Sequence, residues 1–459
     1  MDKNSKNRFF DASMKLDTSY KDIFSLSGPI MLGSAVQQII VLTDGVFLYH
    51  KSEADFGAIG FVGVFYLMIA AIGYNFSKGG QIMMARRAGE NYPKKVGQVF
   101  QASLIFEFFL AIIMFLIMQY GGYYIFSLFT NNDVIFYKSL EYLEFRSFGV
   151  FFSYIGLSII ALYTGIARTK FILIDSIILA ITNVILNYGF IFGKLGLPEL
   201  GIQGAGIAST IAEAFAFLLF LIYIAFDKKI RKYNLFTIPK VVDIEAIKTQ
   251  VRISAPVVAQ AVVGFGSWFI FFGIIENLGE RPLAITNLVR MVYLTLSIPT
   301  WGFASGANTL VSNYIALGKE KQVVALLWKI SKICLTWTCI LLIPILLFPK
   351  LILYPLFGKQ DMSLIIDAQP IFYVMGIILV LFSVSAIFFN GLAATGATGF
   401  GLLVQSLSVV IYLIYVYIVI EVMELGLGWA WASEIFYWII IFIVSIWYIK
   451  SKRWYSLKV

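Results

Sequence analysis

Apolar residues run in twelve long blocks, at about 24–48, 57–77, 98–120, 145–166, 171–192, 202–226, 252–275, 283–304, 324–348, 370–391, 399–420 and 428–449. Polar stretches separate them. Each block is long enough to cross a hydrocarbon core of about 30 Å as a helix. The residue-by-residue alternation of a membrane β-barrel is absent. The pattern predicts an all-α polytopic membrane protein with twelve transmembrane helices. An even number of spans puts both termini on one side.

The pattern also repeats. Gly204-Ala-Gly-Ile-Ala-Ser209 opens the sixth block, and Gly428-Trp-Ala-Trp-Ala-Ser433 opens the twelfth. Pro29 stands early in the first block and Pro256 early in the seventh. Ala88-Gly89-Glu90 follows the second, and Leu317-Gly318-Lys319 the eighth. One near-constant offset relates all three pairs. The chain therefore reads as two parallel six-helix repeats, 1–226 and 252–459, joined by a basic linker, 227–251. Parallel repeats leave a cleft between lobes, whose rocking gives alternating access.

Charge then orients the helices. The basic residues cluster in the N-terminal tail (Lys3, Lys6, Arg8, Lys15, Lys21) and in alternate loops: Lys78 to Lys95, Arg168 and Lys170, Lys228 to Arg252, Lys319 to Lys332, and the tail from Lys450. The intervening loops carry acids such as Asp55, Asp133, Glu199, Asp361 and Glu424. By the positive-inside rule both termini are cytoplasmic. The net charge of +9 is thus a topology signal, and a nucleic-acid partner is not needed to explain it. The polar first 22 residues lack a small-residue cleavage site, so the first helix is expected to act as its own insertion signal.

Composition narrows the chemistry. Charged residues make up 13% of the chain, against roughly 25% in soluble proteins. The two cysteines, Cys334 and Cys339, share one apolar block and read as packing residues. One histidine, His50, lies at a block's end. That removes most zinc sites, haem sites and histidine-based triads, so an embedded acyltransferase or protease is disfavoured. No cofactor is expected.

Buried polar residues remain. An acid at the centre of a membrane helix costs about 2.5–3.5 kcal/mol, so it is kept mainly for a reason. Asp44 lies late in the first block, where a helix-capping role is the alternative. Gln37, seven residues earlier, shares its face. Asn183 and Asn187 share a face of the fifth block, and Ser209 and Thr210 lie at a compatible depth in the sixth. Singly, such amides and hydroxyls are interhelical glue worth about 0.6 kcal/mol each. Together with an acid they form a candidate site. Glu107, Glu213 and Glu434 are further embedded acids, suited to a relay or to structural pairing. Asp175 reads as an interfacial anchor. Arg290 either lines the cleft or pairs with an acid of its own lobe. By the repeat offset the place of Asp44 in the second half is taken by Phe271. Tyr66, Tyr154, Trp268, Trp301 and Phe389 are aromatics that could meet a lipophilic cation, although most such rings face lipid.

The stretch Asn183-Val-Ile-Leu-Asn187-Tyr-Gly-Phe-Ile-Phe-Gly193-Lys-Leu-Gly196-Leu-Pro198-Glu199-Leu-Gly201-Ile-Gln-Gly204-Ala-Gly-Ile-Ala208 resembles the fifth and sixth helices of multidrug and toxic compound extrusion (MATE) transporters, most like the NorM-type bacterial branch. Pro29 with Gln37 and Asp44, Gly165 to Lys170, and Gly391 to Thr398 support the likeness. It implies a two-lobed MATE/MOP flippase-type fold in the bacterial inner membrane. It also implies a monomeric antiporter exporting cationic or amphiphilic drugs against H⁺ or Na⁺. Asp44 matches the family's coupling acid, with Gln37, Asn183, Asn187 and Thr210 around it. H⁺ on Asp44 and Na⁺ held by Asp44, Asn183 and Asn187 both stay open. Tyr154, Glu213, Gln260 and Arg290 are the expected cavity residues. Some members carry a seventh-helix acid; near Pro256 this chain offers Gln260 instead. The rival within the superfamily is a flippase of lipid-linked oligosaccharides, which would line its cleft with basic residues.

Overall fold

A computed structural model describes residues 19–129, 133–235, 244–276, 278, 280–357 and 362–457. Lys3, Lys6, Arg8, Lys15, Lys240, Asp361 and Lys458, used above to orient the chain, lie outside the described residues. The elements are α1 (Tyr20–Lys51), α2 (Glu53–Gly89), α3 (Pro93–Leu116), α4 (Gly122–Phe129), α5 (Asp133–Arg146), α6 (Gly149–Gly165), α7 (Lys170–Phe192) and α8 (Gly201–Phe226). They continue as α9 (Ile244–Glu276), α10 (Glu280–Leu296), α11 (Ile298–Ala316), α12 (Val323–Leu347), α13 (Pro349–Phe357), α14 (Met362–Ala394), α15 (Thr398–Tyr417) and α16 (Leu427–Lys450).

Ten helical stretches are long and apolar enough to span a bilayer, and two bent pairs bring the total to twelve. The chain is a multi-pass α-helical membrane protein. Val64, Phe109, Leu218, Ile411 and Trp447 are exposed; hydrocarbon covers such residues without cost, because the helices satisfy their own backbone. The bent pairs are α5 with α6, at 55°, and α10 with α11, at 44°. Pro299 opens α11 and explains that break, since it cannot donate to the turn before it. The block expected at 145–166 thus starts late. The first half of that span, α5, carries Asp133, Lys138, Glu141, Glu144 and Arg146 and does not read as apolar.

Two compact units divide the helices, and they differ from the expected halves. One unit runs from Leu32 to Val258; the other takes the described residues up to Met31 and from Ala259 onward. The divisions fall two residues beyond Pro29 and two beyond Pro256, inside α1 and α9. The reason lies in glycines that seat the first turns of these helices. In the second unit, Met31 lies on Gly302 of α11, with its Cα 2.7 Å from where a Cβ would stand, and Ser27 sits on Gly306. In the first, Ser254 sits on Gly79 of α2 and donates to the Phe76 carbonyl at 2.8 Å. These are the same contacts under the repeat. The start of the linker is also ordered: Tyr233 packs on Gly97, and Gln101 Nε2 donates to the Asn234 and Leu235 carbonyls, each at 3.2 Å.

Each unit has a mixed aliphatic and aromatic core. The first includes Leu48, Val62, Ile69, Met118, Phe126 and Val150. The second includes Val289, Ile378 and Leu379 with Phe271, Tyr412 and Trp431. In the first unit Lys138 pairs with buried Asp55 at 2.5 Å, and Lys51 with Glu199. The Lys51 ammonium holds the Glu199 carboxyl below the usual range by hydrogen bonding and charge.

A candidate coupling site in the first unit

The polar residues of α1, α7 and α8 meet inside the first unit. Asn187 Nδ2 donates to Asp44 Oδ1 at 2.6 Å and to Asn183 Oδ1 at 2.9 Å. Asn183 Nδ2 donates to Ser209 Oγ at 3.0 Å. The one-turn spacing on α7 lets a single amide bridge an acid above and an amide below. Asn183, Asn187 and Ser209 are buried. Asn187 Oδ1 is buried without a hydrogen-bond partner.

Beside this chain stands a second charged layer. Arg146, at the end of α5, makes two hydrogen bonds to Glu213 of α8, at 2.8 and 2.5 Å. Its guanidinium lies over the Tyr66 ring, 3.9 Å from the centroid, and its charge reaches Asp44. Gly149 makes room for the pair. A Cβ there would stand 2.6 Å from Glu213 Oε2 and 3.2 Å from Thr210 Oγ1. Gly149, the first residue of α6, thus lacks the side chain that would collide with the Arg146–Glu213 pair.

Arg146 is absent from the sequence-derived set. It stands one residue inside the edge of an apolar block, in Glu144-Phe145-Arg146-Ser147. The usable signal is indirect: embedded Glu213 calls for a cation, because buried charges pair. Glu213, expected along a substrate cavity or in a relay or structural pair, is paired with Arg146. Thr210 donates to the Phe145 carbonyl at 3.0 Å, so it ties α8 to α5 and does not bond Asp44. Gln37 is exposed and makes no hydrogen bond to a described residue. Its shared face with Asp44 does not bring it into the network.

The other expected cavity residues have structural contacts. Tyr154 is fully buried, and its hydroxyl donates to the Ile69 carbonyl at 2.6 Å. Replacing it by Phe is expected to lower stability by about 0.5–1.5 kcal/mol and to leave drug selectivity unchanged. Denaturant titration and a substrate panel measure the two separately. In the second unit Gln260 is buried, donating to the Thr398 carbonyl at 3.1 Å and accepting on its own carbonyl from Gln405 at 2.9 Å. Arg290 was expected either to line the cleft or to pair with an acid of its lobe. It lies over Phe272, 4.9 Å from the centroid, with no carboxylate in ion-pair distance among the described residues.

The place matching Asp44 is apolar in the second unit. Phe271 packs against Tyr412 and Trp431, with centroids 5.9 and 5.7 Å away. The acid there is Glu434, buried and accepting from Trp438 Nε1 at 3.1 Å. By the offset of the Gly204 and Gly428 motifs, Glu434 takes the place of Thr210. The two halves share a backbone plan but not a polar plan.

The fold and this buried polar network define a duplicated, multi-pass membrane protein with an acid held inside one unit. The family model MatE matches the chain twice, over residues 29–189 and 256–418, beginning at the two prolines of α1 and α9. The chain belongs to the MatE family, the MATE transporters. It is similar to the "Probable multidrug resistance protein NorM" of Thermotoga maritima, 22% identical over 394 residues, covering 85% of this chain and 83% of that protein. It is 26% identical over 220 residues to the "Multidrug resistance protein NorM" of Vibrio vulnificus, covering 47% of each. Among solved structures, an outward-facing multidrug resistance MATE family transporter of the MOP superfamily superposes with a TM-score of 0.88 at 18% identity, over 95% of this chain and 97% of that one. A MOP superfamily transporter from Pyrococcus furiosus, described as having a binding pocket of reversed polarity, gives 0.85 at 18% identity, over 94% and 95%.

Proposed function

We propose that this protein is an H⁺-coupled antiporter that exports cationic or amphiphilic drugs, with Asp44 as the group that exchanges proton for drug. The observation that carries the reading is the unbroken chain Asp44–Asn187–Asn183–Ser209, with a single acid at its head. Arg146 and Glu213 cancel each other, so Asp44 sets the net charge of the site: −1 when ionised, zero when protonated. An ionised Asp44 accepts from Asn187 Nδ2. Once protonated it can donate to Asn187 Oδ1, the atom that lacks a partner, after the amide turns. Asn187 thus has a donor for the ionised acid and an acceptor for the protonated one. Na⁺ would need several oxygens at once; here an amide nitrogen faces the carboxylate and a guanidinium stands nearby.

Drug cation and proton then compete for one negative charge. Each favours a different arrangement of the two units, which is all that coupling requires. A proton moved inward through 100 mV supplies about 2.3 kcal/mol. The basic loops favour a bacterial cytoplasmic membrane with both termini inside, and the named relatives come from bacteria. Gln37, exposed on the Asp44 face of α1, is assigned to the drug path.

The test is transport of a fluorescent cation into everted vesicles under a proton gradient and then a sodium gradient. Wild type is expected to respond to the proton gradient alone, and Asp44→Asn to neither. A variant that pumps like wild type under the proton gradient would sink the assignment; a response to sodium alone would replace the ion. A second reading rests on Arg290, a cation without an acid partner among the described residues: flipping of an anionic lipid-linked substrate. There Arg290→Ala would abolish lipid flipping and spare cation efflux.

A further inference from the structure

A second acid lies along one face of α2, away from Asp44. Tyr66, Gly73, Ser77 and Gly80 follow at seven, four and three residues and share that face. Each meets a polar partner. Tyr66 carries the Arg146 guanidinium. Tyr154 lies against Gly73, with its ring 2.6 Å from where a Cβ would stand. Ser77 donates to Glu107 Oε1 at 2.6 Å. Gly80 faces Ser103 and Gln250, where Ser103 donates to Gln250 Oε1 at 2.8 Å. From Tyr66 to Gly80 the face descends about 21 Å at 1.5 Å per residue. It ends about two turns before Arg86 and Arg87, the basic residues of the last turn of α2.

Glu107 sits on this line without a role in the site above. It is fully buried, and its Oε2 has no hydrogen-bond partner. Embedded acids ordinarily pair with a cation. Among the described residues none lies within ion-pair distance of Glu107. Its neighbours are the Ser77 hydroxyl on α2 and, within electrostatic range, the Tyr154 phenol on α6; the nearby Lys78 of α2 lies over Tyr74. Two more buried polar atoms without partners are Gln250 Nε2, on the residue that Ser103 holds one turn before Glu107, and Ser158 Oγ, one turn beyond Tyr154 on α6. Such atoms in native interiors are satisfied by water. Water joining Ser77, the Glu107 carboxyl and Gln250 would make a proton path.

We propose that Glu107 relays the coupling proton between Asp44 and the basic end of the first unit. This rests on Asp44 being the exchange group. The transfer balances through water: an O–H bond on Asp44 breaks as one forms on a neighbouring water, an O–H bond forms on Glu107 Oε2 as the last water of the path gives up its proton, and Glu107 is ionised again when that proton passes to water beside Gln250. Tyr154 and Ser158 act as positioning groups for the intervening water.

Full-length protein in proteoliposomes tests it with two readouts. One is ethidium transport driven by a pH gradient. The other is ethidium exchange at equal pH, which needs no net proton movement. Glu107→Gln is expected to exchange at the wild-type rate while driven transport falls by about tenfold or more, and Glu107→Asp to recover most of it. Ser77→Ala, which leaves the carboxyl in place, is expected to slow driven transport alone and serves if Glu107→Gln does not fold. Wild-type driven transport by Glu107→Gln, or equal loss of both activities in a folded variant, overturns the relay. Asp44→Asn run alongside separates the failures. If it pumps normally the exchange site is wrong; if it is dead while Glu107→Gln is normal, the relay alone falls.

Discussion

Arg146→Ala is expected to destabilise the first unit by about 3–5 kcal/mol, the usual consequence of leaving a buried partner charge uncompensated. The Arg146 side chain is 6% exposed and that of Glu213 18%, so solvent screens little of their interaction. The guanidinium also loses its seat on Tyr66. Glu213→Leu alone should cost a similar amount, since it strands Arg146. The double variant Arg146→Met with Glu213→Leu should regain most of the loss, because a matched apolar pair removes both desolvation penalties. Denaturant unfolding of wild type, Arg146→Met, Glu213→Leu and the double variant in one detergent gives the coupling directly. Singles that cost under about 1 kcal/mol would mean that the pair behaves like a surface bridge. Transport should not recover with stability: the double variant leaves Asp44 without its neighbouring charges, so its driven efflux is expected to stay low.

That pair also shows what hydropathy conceals. Asp44, Asn183 and Asn187 were legible because each interrupts an apolar block and helical period fixes which face they share. Arg146 and Glu213 are 67 residues apart in sequence. Their meeting depends on how α5 packs on α8, and a charge at a block's edge reads equally well as interfacial. The fourth block was placed a full helix short for the same reason. Twelve spans and a repeat were visible because lipid imposes a length and duplication leaves an offset. Where each unit begins was not visible. Gly79 and Gly306 look like any helical glycine until Ser254 and Ser27 are seen resting on them. Gln37 shows the opposite error, since sharing a face with Asp44 does not by itself bring a residue into hydrogen-bond reach.

The repeated motif carries the second large effect, and it is asymmetric. In the first unit Gly204 and Gly206 open α8. A Cβ on Gly204 would stand 2.6 Å from the Phe190 carbonyl oxygen, and one on Gly206 2.7 Å from that of Tyr142. Both obstacles are backbone, so a side chain must move α8 away from α7 or α5. Overpacking of this kind costs about 1–3 kcal/mol. Gly204→Ala and Gly206→Ala are each expected in that range. In the second unit Gly428 begins the matching motif, yet nothing lies within 4 Å of its Cβ position. Gly428→Ala should therefore be neutral, or slightly stabilising through the better helix propensity of alanine. Thermal unfolding in detergent reads the difference, and equal effects at Gly204 and Gly428 would show that the close approach is not what selects glycine. The consequence extends to function, because α8 presents Ser209, Thr210 and Glu213 one to two turns further on. Displacing its first turn shifts the hydroxyl that Asn183 holds and the carboxylate that Arg146 holds. Proton-driven efflux should thus fall in Gly204→Ala and Gly206→Ala even at temperatures where both remain folded, and should persist in Gly428→Ala.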